Sequence, residues 1–256
     1  MPEEINNDCR CFLGAAAMTN ASRGPVICLL LLGVLVLPAT SWSQQRPPVS
    51  EQIAKAYGLD SFSQIERIRY TFNLADKLSR TWVWEPKTDQ VSYEGKDKAG
   101  QPVKLTYLRS QLSSQTAVVK DEIDPAFIND QYWLVFPFHL VWDSSAKVED
   151  TGMHPLSLGK GSARRIVVTY PPDGYSPGDT WELFVGKNNR IREWVYHHGG
   201  SPKWTGVWSW EAYKRAGPLL ISLDHPGKKD GQPVRVFFSD VAVTLAGGAN
   251  TWVKAQ

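Results

Sequence analysis

The chain has 256 residues, 42% hydrophobic and 21% charged, which is globular composition and excludes a disordered, collagen-like or polytopic membrane protein. Twenty-eight Lys and Arg stand against 26 Asp and Glu, a formal net charge of +2. So even a balance gives no basic stripe to displace counterions, and it excludes nucleic acid as a partner.

At the N-terminal end, Arg23 precedes the apolar run Val26 to Leu37, "VICLLLLGVLVL", and Pro38 leads into small residues ending Ser41-Trp42-Ser43. A positive segment, a short apolar run and a small-x-small end read as a secretory signal peptide over residues 1–43. The run is shorter than the about 20 apolar residues a bilayer span requires. Glu3, Glu4 and Asp8 suit such a leader poorly, so translation is expected to begin at Met18. Cys9, Cys11 and Cys28 all precede Ser43, which leaves the mature chain without thiol or disulfide. Cys28 starts the apolar run, whereas a lipid-anchored cysteine would end it. The expected location is therefore periplasmic or secreted, with no membrane span in the mature chain. Residues 44–48, "QQRPP", read as a linker, and 49–256 as a single domain.

In "VSEQIAKA" (49–56), Ser50 is the expected N-cap of a short helix, and another helical turn follows from Ser61. The pattern then turns to period two. Ile68, Tyr70, Phe72 and Leu74 alternate with Arg69, Thr71 and Asn73, the mark of a half-buried strand. Strand patterns recur over 80–85, 90–95, 103–109, 163–170, 180–186, 189–198, 204–215, 219–224 and 234–243. Turn chemistry separates them, as in Pro171-Pro172-Asp173-Gly174 and Asp230-Gly231. Short strands joined by short turns predict an antiparallel meander.

One segment stands apart. In "DPAFINDQYWLVFPFHLVWD" (124–143), Asp124 is the expected N-cap and Pro125 the first helical residue. A capping helix is expected over 125–136, with Asn129 and Asp130 on its polar side. Pro137 is expected to end it, and 138–142 to continue as a strand.

Side chains two apart share a face of a strand, so Trp82 pairs with Trp84, and Trp204 with Trp208 and Trp210. Sheet faces this aromatic suggest a curved antiparallel sheet, an incomplete β-barrel in a mainly β fold with short helices. Trp82, Trp84, Trp133, Phe136, Trp194, Trp204, Trp208 and Trp210 are the expected lining of a ligand cavity.

The order of short helix, Trp-rich meander, central apolar helix and second meander resembles the LolA/LolB lipoprotein-carrier superfamily. "INDQYWLVFPFHLVWD", "NRIREWVYHHGGSP" and "GPLLISLDHPGKKDG" are similar to an exported bacterial branch of it. The resemblance implies a half-barrel closed by helices, and in the carriers the cavity holds acyl chains. It carries over no ligand residue individually.

Chemistry gives little. His197 and His198 are adjacent in a strand pattern and point apart; His139, His154 and His225 are isolated; no metal and no cofactor are expected. Glu182, Glu193 and Glu211 flank tryptophans and offer a carboxylate cluster for a hydrolase, against the plainer reading as a solvated face paired with Arg190, Arg192 or Lys214. The sequence thus points to a non-catalytic binder of a lipid, acyl chain or other hydrophobic ligand, with envelope proteins as partners. A carbohydrate-binding module using exposed Trp faces is the rival, with the hydrolase second.

Overall fold

Most of the alternating sequence becomes strand in this computed structural model, which describes residues 46–256 apart from Asp76. They form one compact unit. The signal-peptide reading, the Met18 start and the three cysteines lie outside the described residues.

The strands are β1 (Ile65–Leu74), β2 (Leu78–Glu85), β3 (Gln90–Lys96), β4 (Pro102–Leu108), β5 (Lys147–Pro155), β6 (Ser162–Thr169), β7 (Thr180–Val185), β8 (Ile191–His197), β9 (Gly206–Ser209), β10 (Glu211–Ala216), β11 (Leu219–Lys229), β12 (Gln232–Leu245) and β13 (Val253–Lys254). They make one curved, open sheet in the order 4-3-2-1-12-11-9-8-7-6-5, with β10 on β11 and β13 on β12. Two α-helices, α1 (Pro48–Ala56) and α2 (Asp124–Trp142), accompany the sheet among the described residues, with short 3-10 and π turns between elements.

Topology dictates where α2 goes. β4 and β5 follow each other in sequence but lie at opposite edges of the sheet. The connection must cross from one edge to the other. Nineteen helical residues reach about 28 Å, at about 1.5 Å per residue. The helix crosses the inner face, where register stacks Tyr70 beside Trp82 and Trp82 beside Tyr93. Phe127 meets Trp82 and Trp84, and Trp133 meets Trp194 and Trp208 at ring separations of 4.4 and 5.0 Å.

Several expectations are corrected here. Residues 138–142 are helix, not strand, and Pro137 lies inside α2. The break that absorbs it sits at Val135, with φ −127° and ψ 22°. Proline removes one helical hydrogen bond, and the kink accommodates its ring. Burial of both halves, Leu134 to Phe136 and Phe138 to Leu140, holds the kinked rod together. Asp124 is not an N-cap, because a turn of π-helix, Val119–Ile123, runs directly into it. Ser50 is not one either: Pro47 precedes the helix and Ser50 is buried. The strand expected over 204–215 is two, broken at Trp210, where Ala212 takes φ +50°. β5 and β13 had no counterpart in the sequence reading.

β7 pairs with Ile191 on one side, but the break between β9 and β10 leaves its other side with no strand, and two tyrosines fill the place. Ile191 N–H donates to Tyr57 Oη at 2.9 Å, Tyr57 and Tyr213 hydroxyls are 2.6 Å apart, and Tyr213 donates to Ile191 C=O at 2.6 Å. Burial pushes both phenols well up, so they stay protonated donors. Tyr57→Phe strands a buried N–H and is expected to cost about 1–3 kcal/mol, read as a lower urea midpoint at unchanged slope.

The outer face carries a second small core of Leu156, Ala163, Phe184, Val195 and Val207. A loop folds over it and is tied down by Glu193, whose carboxylate accepts backbone N–H groups of Ser157, Leu158 and Gly159 at 2.7–3.0 Å. Trp208 packs on the other side of the sheet. An ideal Cβ on Gly206 would come within 2.1 Å of its ring, so that strand position requires glycine. No helix among the described residues is long and apolar enough to cross a membrane.

Candidate functional site

Of the eight aromatic positions expected to line a cavity, Trp82, Trp84, Trp133, Phe136, Trp194, Trp208 and Trp210 are buried and Trp204 is 39% exposed. The buried ones largely pack on one another. Trp194 meets Trp133, Phe136, Trp181 and Trp210 at ring separations of 4.4–5.3 Å. Around this knot the helix acts as filling of the sheet. Trp84 is the member of the eight that borders the hollow beside α2.

That space is a cleft of about 480 Å³ between α2 and the β2 side of the sheet. Phe62, Trp84, Pro86, Phe127, Ile128 and Trp142 form its apolar wall. Phe62 sits in a short 3-10 turn before β1, edge-on to Phe138 and Trp142. Arg109, Gln131, Tyr132, His139, Asp143 and Tyr175 supply the polar lining. A second hollow of about 690 Å³ lies against β1–β4 and is edged by Lys77, Glu94 and Lys104. Its lining mixes polar and apolar side chains, and Lys104 and Glu94 pair within it at 2.9 Å.

Three aspartates fix α2 over the cleft. Asp124, fully buried at its start, accepts from Tyr107 at 2.9 Å, Arg109 Nε at 2.8 Å and Tyr175 at 2.5 Å. Burial alone would lower the Arg109 pKa, but the Asp124 carboxylate outweighs it and raises it, so the guanidinium stays charged. Asp130, also fully buried, accepts from Arg80 Nε at 2.8 Å, Arg80 Nη2 at 2.5 Å and Trp82 Nε1 at 2.9 Å. This corrects its expected place on a polar face: the side opposite the solvent is where Arg80 waits. Asp143 follows the helix and accepts from Tyr132 at 2.7 Å and Tyr170 at 2.8 Å, with His139 Nδ1 2.9 Å away. Burial would raise the Asp143 pKa, but those hydrogen bonds and the His139 partner hold it below the usual carboxylate range. The Tyr132 ring stacks on His139 at 3.8 Å, and His139 Nε2 meets Gln131 Oε1 at 3.0 Å. Arg46 caps the helix end by donating to the carbonyls of Leu140 and Asp143.

The remaining sequence candidates lie elsewhere. Glu193 is the loop anchor already described. Glu182 Oε1 is 3.2 Å from His197 and its Oε2 3.4 Å from Arg165, while Glu211 accepts from Ser209 at 2.7 Å. Each carboxylate is occupied by its own structural partner. Arg190 instead lies over the Tyr213 ring. Among the described residues no group of three His, Cys, Asp or Glu side chains could hold a metal ion.

Solved structures similar in fold to the chain include the following three. One is a LolA superfamily protein from Nitrosomonas europaea (11% identity, TM-score 0.40, covering 75% of this chain and 92% of that one). The second is a DUF1329 family protein from Desulfovibrio piger (8%, 0.38, 76% and 92%). The third is the lipoprotein LppX of Mycobacterium tuberculosis (11%, 0.30, 82% and 100%). No protein-family model matches the chain, and no curated protein matches it.

The sequence reading missed Arg109, Gln131, Tyr132, His139, Asp143 and Tyr175. A signal existed for three of them. Gln131, His139 and Asp143 are spaced by eight and four, one stripe of a helix, provided the helix runs through Pro137.

Proposed function

We propose that the chain is an exported, non-catalytic binding protein that holds a hydrophobic ligand in the cleft between α2 and β2. The observation that supports this is a wall of apolar side chains left half-covered, Phe62, Pro86, Ile128 and Trp142, in a hollow of about 480 Å³. That volume and lining suit a ligand site, which is concave, mostly apolar and furnished with a few polar groups. Burial of ligand methylenes there contributes about 0.8 kcal/mol each. Carbohydrate stacking on Trp faces has less support, because the rings that would offer those faces are packed inward.

The test is titration of the purified protein with dansyl-undecanoic acid, followed by fluorescence. Saturable binding is expected, and Ile128→Trp, which fills the cleft from a half-buried position, is expected to weaken it about tenfold or more, a loss of about 1.4 kcal/mol. Equal binding by both proteins would remove the cleft from consideration.

A further inference from the structure

On the outer face of the sheet, away from the cleft, two arginines stand without a carboxylate. Arg67 and Arg69 lie on β1 and flank Ile68, which is buried on the inner side. Side chains two apart share a strand face, so both arginines project outward. The end of the chain returns to this place. β13 lies along β12, with Val253 beside Val243 and Lys254 beside Ala242. That sets Trp252 level with Thr244, and Thr244 is the β12 partner of Arg67. Both guanidiniums sit over the Trp252 ring, 4.9 Å from its centroid for Arg67 and 4.8 Å for Arg69. One ring thus gathers two like charges. Arg67 is fixed further: its Nε donates to Thr244 Oγ1 at 3.4 Å and its Nη2 to Asn250 Oδ1 at 3.2 Å. The Arg69 Nε is shut off from water and has no acceptor among the described residues.

Arg80, Arg164, Arg165 and Arg235, also on strands, each pair with a carboxylate. The acids nearest to Arg67 and Arg69 in sequence or register pair with neither. Glu66 is taken by Lys87 at 2.6 Å, Glu85 accepts from Thr88 at 3.2 Å, and Asp240 is exposed at the irregularity of β12 between the partners of Arg69 and Thr71. An aromatic face attracts cations but carries no net charge, so the two positive charges stay uncompensated. An oxyanion compensates them, and a guanidinium already stripped of part of its water gains more from one than a hydrated guanidinium does. Phosphate fits best: a phosphomonoester carries about two negative charges near neutral pH, and the guanidinium fork matches its oxygens. We propose that Arg67, Arg69 and Trp252 form a phosphate-binding site on the outer face of the sheet. The two arginines hold the phosphate oxygens, and the Trp252 ring holds the arginines together. A small phosphorylated molecule and a lipid head group present the same chemistry to it. The site lies on the opposite face of the sheet from the cleft, so neither reading depends on the other.

The experiment has two arms, both at constant ionic strength near neutral pH. Inorganic phosphate is titrated into the purified protein by calorimetry, and the protein is sedimented with vesicles of mixed phosphatidylglycerol and phosphatidylcholine. The wild type is compared with Arg69→Gln, Arg67→Gln and Lys160→Gln, with a thermal melt of each. Lys160→Gln removes the same charge from an exposed loop elsewhere. The wild type is expected to bind saturably, either arginine variant to bind about tenfold more weakly or less, and Lys160→Gln to bind as the wild type does. Loss of both phosphate and vesicle binding in the arginine variants identifies a site open to head groups. Loss of phosphate binding alone identifies a small phosphorylated ligand, and loss of vesicle binding alone identifies a head group; all three support the proposal. Absence of saturable binding in both arms overturns it, as does unchanged binding by the arginine variants. Equal weakening in Lys160→Gln also overturns it, because it marks diffuse attraction to a positive protein. If one arginine variant does not fold, the other decides; if neither folds, Arg69→Lys, which keeps the charge and removes the fork, takes their place.

Discussion

Asp130→Ala is expected to destabilise the fold by about 3–5 kcal/mol. Asp130 is fully buried, and Arg80 is nearly so, with 16% of its side chain exposed. The carboxylate takes both guanidinium hydrogen bonds and the Trp82 indole N–H. Removing it leaves a charged group and an indole N–H facing an apolar interior with nothing to accept them. Burial raises the Asp130 pKa and Arg80 lowers it, with the net shift upward, so the pair is held at some cost even in the intact protein. A double change to Arg80→Met and Asp130→Leu should therefore recover much of the loss, because no buried charge remains. Urea unfolding of the two variants separates the cases. A double variant as unstable as the single one would show that the helix contact matters through its shape and not through the unpaired charge.

The same aspartate shows where sequence reading stops. Alternation was legible wherever one face of a strand is buried and the other wet. Ile68, Tyr70 and Phe72 are buried in β1 as their spacing required, and Trp82 and Trp84 in β2 likewise. Helix α2 offered no such contrast. It is apolar almost all round, since it lies between sheet and helix α1, and a helix buried on every side has no stripe to read. Phe138, Leu140 and Trp142 then fit a strand as well as a helix, and Pro137 decided wrongly between them. Local preference before a proline costs less than uncovering that much aromatic surface, so packing won. Once the helix was cut at Pro137, the stripe of Gln131, His139 and Asp143 was cut with it, and the polar lining of the cleft disappeared from view. Asp130 was misplaced for a different reason. A charged residue is rarely fully buried unless paired, and its partner Arg80 sits fifty residues away on β2, where only the fold brings it close.

Acidification from pH 6.5 to about 4 is expected to remove about 3 kcal/mol of stability through one residue, His225. This histidine lies on β11, fully buried, with its ring 4.8 Å from Trp210, 5.5 Å from Trp133 and 5.9 Å from Phe238. Burial pushes its pKa down to about 4, against smaller upward pulls from the backbone of Ser209 and Ser222 and from Asp224. A histidine whose folded pKa lies below its unfolded value of about 6.5 takes up a proton on unfolding across that window. Its contribution is therefore complete above pH 6.5 and falls as the pH drops, until the folded protein also protonates near 4. Two carboxylates act outside this pattern. Asp143, held low, loses its contribution only as the pH falls below the ordinary carboxylate range, and Asp130, held high, loses its contribution as the pH rises from there. A difference measurement isolates the histidine from both. Stability of the wild type and of His225→Leu is measured by urea unfolding at half-unit steps from pH 7.5 to 4. The wild type should show an extra slope approaching about 1.4 kcal/mol per pH unit, one proton, that the variant lacks. Identical slopes would mean that the knot of tryptophans around His225 admits a charge, and so admits water, at the centre of the sheet.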